Sequence, residues 1–207
     1  MRDKKKSPLR LEGRGVVLEE ICPKYFEPVI RWRNDPVLNH FLNQPYKLTM
    51  EKETEWYEKI YLPDDTQGFL VLVDKKNGVP FGTMGWSEMD EKRRQCVSER
   101  LLLGNPSYQN SGPFLESFFL HADYLYQFVD RVYGHIRTEN RKALHLNKFI
   151  GMHPNKGEIQ YPEKLFVQGD RTRPQVEYVR TREEYEQVKK KMFTDILDFL
   201  YPDDGRA

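Results

Sequence analysis

Across Gly112 the hydrophobic pattern changes its period, and few folds accommodate that change. Before it, "RQCVSERLLLG" (94–104) is rich in β-formers and reads as a strand. After it, Phe114, Leu115, Phe118, Phe119, Ala122, Leu125, Tyr126 and Val129 recur at helical spacing. "RVYGHIRT" (131–138) then returns to strand character. Strand, turn, helix and strand in this order predict a βαβ unit with a right-handed crossover. In such units ligands bind at the carboxyl ends of the strands, beside helix N-termini. The junction "NPSYQNSG" lies at that place. It is either a plain turn or a phosphate cradle, since a helix start offers unpaired N–H groups and the positive end of its dipole.

The rest of the chain adds layers to this unit. "GVVLEEI" (15–21) predicts a strand, and "PKYFEPVIRWRND" (23–35) a helix with Pro23 at its start and Pro36 beyond its end. Thr49 is placed to cap "MEKETEWYEKIY" (50–61), whose apolar side is Trp56, Tyr57 and Ile60. "GFLVLVD" (68–74) and "VPFGTMGWSEM" (79–89) read as strands joined by a tight turn. "ENRKALHLNKFI" (139–150) predicts a helix ended by Gly151, and "EKLFVQG" (163–169) with "PQVEYVRT" (174–181) a last strand pair. A final helix spans 182–201, with Tyr185, Val188, Met192, Ile196 and Phe199 on one face. That face packs inside the molecule or joins two copies in a homodimer. The expected fold class is α/β, with helices on a mixed sheet, in one domain over residues 1–207. Residues 1–10, "MRDKKKSPLR", read as a short solvated basic tail with no signal-peptide apolar core behind it.

Composition excludes several function classes. With 33 basic and 32 acidic residues the net charge is +1, which gives nucleic acid or an anionic membrane no electrostatic footprint. No run is long and apolar enough to span a bilayer. Cys22 and Cys96 lack metal-ligand spacing and suit a reducing cytoplasm, and the five histidines fall in no metal-binding frame.

Three segments together resemble the GNAT superfamily of acetyl-CoA-dependent N-acetyltransferases. The branch they resemble holds the ribosomal-protein alanine acetyltransferases and the nucleotide-amino-sugar acetyltransferases. In "ERLLLGNPSYQNSGPF" the positions Glu99, Pro106, Tyr108 and Gly112 fall in register with that branch. In "TENRKALHLNKFIGM" Asn140, Ala143, Gly151 and Met152 do so. The early "IRWRNDPVLNHFLNQPYKLTMEKETEWYEKI" is similar as well. The resemblance covers roughly residues 15–185 and implies a mostly antiparallel central sheet flanked by helices, with an extra C-terminal helix.

It also implies roles. The loop Gln109, Asn110, Ser111 and Gly112, with the helix start, would cradle the cofactor's pyrophosphate; here Phe114 replaces a small residue and Pro113 removes a donor. The backbones of Leu101, Leu102 and Leu103 would pair with the pantetheine arm, and one N–H would polarise the thioester carbonyl. Asn140 caps its helix or bonds the arm. Asn147 stands where many relatives carry an acidic tyrosine. An alkylamine near pKa about 10.4 must lose a proton before it attacks. Glu99 is the candidate base and Glu88 the reserve. Trp32, Arg33, Asn34 and Trp86 are candidates to line the acceptor site, and 152–173 is the candidate acceptor loop. The implied activity is direct transfer of acetyl from acetyl-CoA to the primary amine of a small molecule such as an amino sugar. The alternatives are a ribosomal-type protein N-terminal acetyltransferase and a non-catalytic acyl-CoA-binding module.

Overall fold

The computed structural model describes residues 4, 5, 7–42, 44, 46–167 and 170–201, without side chains for 167, 170–172 and 192–200. Its elements in chain order are β1 (Arg10–Glu12), β2 (Val16–Glu20), α1 (Phe26–Asn34), α2 (Met50–Trp56), β3 (Gly68–Asp74), β4 (Pro80–Asp90) and β5 (Gln95–Leu103). There follow α3 (Gly112–Leu125), β6 (Arg131–Arg137), α4 (Arg141–Phe149), β7 (His153–Pro154), β8 (Phe166–Val167), β9 (Asp170–Thr181) and α5 (Arg182–Leu200). The main path through the sheet is β1-β2-β3-β4-β5-β6-β9-β7, with β8 paired on β9. Among the described strands only β5 and β6 run parallel, as the βαβ reading requires.

Each face of the sheet carries its own core. On β3, Leu70 and Leu72 point to a cluster completed by Phe119, Ala122 and Leu125 of α3, with Leu146 of α4 and Tyr185 of α5 packed in. Phe69, Val71 and Val73 point the other way, to Phe26, Val29 and Trp32 of α1 and to Tyr61. A strand buried on both faces has no polar alternation, which is why "GFLVLVD" is a continuous apolar run. Each such side chain contributes about 1.5–3 kcal/mol by its burial.

Several expectations need correction. Thr49 does cap α2, accepting a hydrogen bond from the Lys52 N–H, but the helix ends in a wider π turn over Tyr57–Tyr61. The extra residue in that turn rotates the inward side, so Tyr61 is buried and Ile60 exposed. The basic N-terminal run is no freely solvated tail where it is described. Lys4 is 6% exposed, and its ammonium donates to the Tyr61 carbonyl at 2.8 Å. Residues 10–12 pair with β2 as β1, a strand too short and polar to stand out in the sequence. The last strand pair is a long β9 with only the two-residue β8 on it, and β7 adds a further short strand. On α5, Tyr185 is buried against Tyr126. Val188 packs on Gly151, so this part of the face is internal. Met192, Ile196 and Phe199 lie outside the described side chains.

Tyr61 ties the two ends of the early half together. Its hydroxyl donates to Glu20 at 2.7 Å and accepts from the Phe69 N–H at 3.1 Å. Burial, then the Glu20 charge, push its pKa well above the usual phenol range, so it stays a donor. Tyr61→Phe leaves buried polar groups without this partner, and should cost about 1–3 kcal/mol. Equilibrium urea unfolding of parent and variant, at unchanged m, checks this.

Candidate active site

The site begins where β5 parts from β6. The two strands are paired at Gln95↔Arg131, Cys96↔Val132 and Val97↔Tyr133, and no further. Beyond that, β5 keeps β4 on one side and β6 keeps β9 on the other. The facing edges of 98–103 and 134–137 are left open between them. A bulge in β5 sharpens the parting. Thr83 pairs with Leu102 and Gly85 with Glu99, so Arg100 and Leu101 together stand against Met84 alone. Arg100 takes φ +63°, the left-handed region, and its carbonyl accepts from the Thr83 hydroxyl at 2.8 Å.

The bulge also shifts the facing of side chains, since strand residues alternate only while no residue is inserted. Glu99 and Arg100 come out on one face, where their side chains pair at 3.2 Å. Arg100 packs over the rings of Trp56 and Phe69 and donates to the Gly68 carbonyl. Leu102 then joins the α1–α2 core, and Leu101 and Leu103 pack on the α3 core. The three leucines are thus core by side chain, while their backbone follows the open edge.

A cleft of about 560 Å³ runs through the parting. One wall is Phe118, His121, Ala122 and Leu125 of α3 against Asn140, Ala143 and Asn147 of α4. The other half is bounded by Arg33, Phe41, Trp56, Arg100, Arg137 and Lys164. Of the expected site residues, Arg33, Glu99, Leu101, Leu102, Asn140 and Asn147 line it. Asn140 caps α4 through the Ala143 N–H at 3.1 Å, and the Asn147 amide donates to the Ala143 carbonyl at 2.9 Å.

Trp32, Trp86, Asn34 and Glu88 do not line the cleft. Trp32 is 5% exposed in the α1–α2 core, its indole lying where a Cβ on Gly104 would be. Trp86 is 4% exposed in the α3 core, beside Tyr124. Asn34 is a clasp, exchanging two 2.8 Å hydrogen bonds with the Leu48 backbone. Glu88 is exposed at φ +53°, and its carboxylate lies 3.5 Å from Lys164. Tryptophan and asparagine serve cores and clasps as readily as ligands, and spacing does not separate these uses.

The loop before α3 keeps part of its expected character. Asn110 has φ +63°, and the Ser111 hydroxyl caps the helix through the Phe114 N–H at 3.3 Å. Among the described residues the N–H groups of Asn110 and Gly112 meet no acceptor. Gln109 and Asn110 are exposed, and the loop lies outside the cleft lining. Phe114 turns into the core edge-on to Phe118 at 5.1 Å. Gly112 has a reason unconnected with anions: a Cβ there would meet the Tyr201 ring at 2.8 Å. Tyr201, just beyond α5, hydrogen-bonds Glu116, whose carboxylate also accepts from the Arg14 and Gly15 N–H groups.

Charges at the cleft are specific. Glu99 bonds Arg100 through one oxygen and Lys164 through the other at 3.3 Å. Lys164 also reaches Ser87 at 3.0 Å. Beneath them Glu53 is buried. Its burial raises its pKa, against the opposing charges of Arg33 and Arg100. His121 is neutral: burial, aided by Arg180, brings it to about 3, and its Nε2 has no partner among the described residues. The sequence reading missed His135 and Glu177, which form a buried pair beside the cleft, with His135 among the residues that line it. Their signal was weak: one histidine and one glutamate on separate β-runs, adjacent only once β6 and β9 pair. No group of His, Cys, Asp and Glu among the described residues is arranged to hold a metal.

Comparison with known proteins agrees with this geometry. The family of the acetyltransferase (GNAT) domain matches residues 16–153. No curated protein sequence matches the chain. A GCN5-related N-acetyltransferase from Brucella melitensis superposes with TM-score 0.73 at 16% identity, over 91% of this chain and 85% of that one. The nucleotide-linked sugar GNAT FdhC gives 0.70 at 13% identity, over 92% and 99%. The spermidine N-acetyltransferase of Vibrio cholerae, with CoA and spermine bound, gives 0.68 at 19% identity, over 83% and 98%.

Because the Gly112 Cβ position is filled by Tyr201, Gly112→Ala should overpack and cost about 1–3 kcal/mol. Adding Tyr201→Ala should recover most of the loss caused by Gly112→Ala. Thermal unfolding of the two single variants and the double variant checks this coupling. Additive losses would place the strain elsewhere.

Proposed function

The chain belongs to the GNAT acetyltransferase family, and on that premise we propose that it transfers acetyl from acetyl-CoA to the primary amine of a small, anionic acceptor, with both substrates bound together. The observation that carries this is the open edge of β5 over a cleft bounded by α3 and α4. An extended chain carrying amides pairs with a free strand edge as an added strand would. The pantetheine arm of acetyl-CoA has that form, and the backbone of 98–103 would hold it. The His121 Nε2, without a partner among the described residues, would meet a hydrogen-bonding group on the arm. The N–H groups of Asn110 and Gly112, at the start of α3 and without acceptors among the described residues, suit a pyrophosphate. When bound, the cofactor supplies an acyl group on a good leaving sulfur; this chain supplies alignment and proton handling. With asparagine at 147, no phenol on α4 protonates that sulfur from this position.

The acceptor enters from the half of the cleft beneath α1 and α2. Arg33, Arg100, Arg137 and Lys164 line that half against Glu99 and Glu163. Arg33 makes no ion pair or hydrogen bond through its guanidinium among the described residues. A polyamine would place like charges together there, which costs several kcal/mol in a desolvated contact. An amine carrying phosphate or carboxylate would instead find the Arg33 guanidinium fork matched to it. A nucleotide-linked amino sugar has this chemistry.

Acetyl-CoA turnover should therefore be supported by a nucleoside-diphosphate-linked amino sugar, and by spermidine at least about 10²-fold less well in kcat/KM. Arg33→Gln should raise KM for the anionic acceptor roughly tenfold, as loss of a charged hydrogen bond does. KM for acetyl-CoA should stay unchanged. Thiol release from acetyl-CoA, followed with each acceptor, measures both. Preference for spermidine would overturn the charge argument, and preference for a peptide N-terminus would move the chain to the protein-modifying branch.

A further inference from the structure

On β6, alternate residues face opposite ways: Val132 joins the α3 core, while Tyr133 packs with Val97, Tyr161 and Val179 on the acceptor side. By the same alternation His135 faces the acceptor side. Its partner in the β6–β9 register is Glu177, and the Nε2–Oε2 distance is 3.2 Å. The side chains are 5% and 0% exposed. Continued past Val97↔Tyr133, the parallel register would set Glu99 level with His135 across the open gap. This is the level at which an arm lying along 98–103 would begin to emerge on the acceptor side.

Glu177 is fixed by more than the histidine. It accepts from the Asn155 amide at 2.6 Å and from the N–H groups of Gln160 and Tyr161 at 3.1 and 3.0 Å. Burial works to raise its pKa, but these donors outweigh it and hold the carboxyl below the usual range. An ionised carboxylate only accepts. The Nε2 of His135 must therefore carry the ring proton, which leaves the lone pair on Nδ1. Nδ1 is buried and without a partner among the described residues. A buried polar atom with no partner is costly, and no described residue offsets that cost.

We infer that His135 is the general base of the transfer reaction, taking the proton shed by the acceptor amine on Nδ1, with Glu177 as the positioning residue that sets its tautomer. The inference rests on the acetyltransferase reading above. The amine nitrogen bonds to the acyl carbon as the carbon–sulfur bond breaks, and the electron pair of that bond leaves with sulfur. The proton lost by nitrogen passes to Nδ1, directly or through one water, and from there to the thiolate. The products are the N-acetyl amide and CoA thiol, and His135 ends neutral. This assignment also accounts for Asn147, because the imidazolium formed in the first proton transfer is itself the acid for the leaving sulfur. Glu99, the base expected from sequence, has both oxygens engaged by cations.

The groups facing His135 set its pH behaviour. They are Glu177 on β9, Tyr161 edge-on at 6.1 Å, and Glu163 and Lys164 on the turn before β8. Burial is the largest influence and brings the ring below its ordinary 6.5, opposed first by the Glu177 hydrogen bond and charge, with Lys164 lowering it further and Glu163 raising it. A lowered value keeps the ring neutral at pH 7, so the histidine's limb of kcat/KM should lie at that lowered value, below the separate limb set by ionisation of the acceptor amine itself.

Two measurements on the full chain test this. Long-range proton–nitrogen NMR of the ligand-free protein at pH 7 should show His135 neutral with its proton on Nε2. A proton on Nδ1, or an imidazolium, overturns the assignment whatever the acceptor proves to be. The second is kcat/KM against pH with acetyl-CoA and a nucleoside-diphosphate-linked amino sugar. His135→Gln should lower it by about 10²–10⁴-fold and abolish the lower acidic limb while the amine's own limb remains, with acetyl-CoA affinity unchanged. Glu177→Gln should lose less and shift the lower limb, and Glu99→Gln should keep it. Imidazole in solution should restore part of the activity of His135→Ala, which a folding defect would not allow. An unchanged rate in His135→Gln, or a limb lost in Glu99→Gln instead, sinks the proposal. Failure of the parent to bind acetyl-CoA would sink the acetyltransferase reading itself, and leave the NMR result to judge the pair alone.

Discussion

The chain is organised around one missing set of hydrogen bonds. β5 and β6 pair over three residues and then separate, so backbone that a sheet would ordinarily satisfy faces a cleft. Unpaired backbone in a protein interior is costly, and the surrounding fold must hold the strands apart against their tendency to zip. The Arg100 bulge is the device. It twists β5 away, and its guanidinium is fixed by the Gly68 carbonyl, by Gln67, and by the faces of Trp56 and Phe69. On the other side β6 is held flat to β9 by seven register pairs. The α3 and α4 walls then follow from connectivity alone, since each helix leaves the carboxyl end of one of the parted strands.

The same geometry explains where the titratable groups sit. A bulge that puts Glu99 and Arg100 on one face draws Lys164 in from the segment before β9, and the three charges share one small network. His135, one strand away, gets no such cation partner within hydrogen-bond reach. It receives the Glu177 carboxylate instead, and burial keeps it uncharged. Two carboxylates, Glu99 and Glu177, therefore sit in unlike surroundings within one cleft region. The first is neutralised by fixed cations, and the second aligns a neutral ring. Such division of labour among neighbouring titratable groups marks acid–base sites in general.

The cationic lining of this half of the cleft has a structural cost. Glu53 lies buried close to Arg33 and Arg100, with one oxygen unpartnered among the described residues. Its charge, coupled to both guanidiniums, offsets part of their mutual repulsion.

Periodicity by itself determined the order of the longer elements, the βαβ unit at Gly112 and the burial of "GFLVLVD", because these follow from which residues can leave water; the short β1 and β7 escaped it. The family resemblance carried by residues 98–112 and 139–152 pointed to Glu99, Leu101, Leu102, Asn140 and Asn147, which the structure brings to the lining of one cleft. What sequence could not decide depended on register and on single inserted residues. The π turn that exchanges Ile60 for Tyr61 and the bulge that aligns Glu99 with Arg100 each add one residue where a pattern assumes none. The docking of Tyr201 on Gly112 joins segments nearly ninety residues apart. Trp32, Trp86 and Asn34 went to cores and a clasp because their chemistry suits either use, and only packing chooses. The pairing of His135 with Glu177 arises forty-two residues apart in the chain. It exists because β9 returns antiparallel beside β6 in one register, and a shift of one residue would have turned the glutamate to the other face.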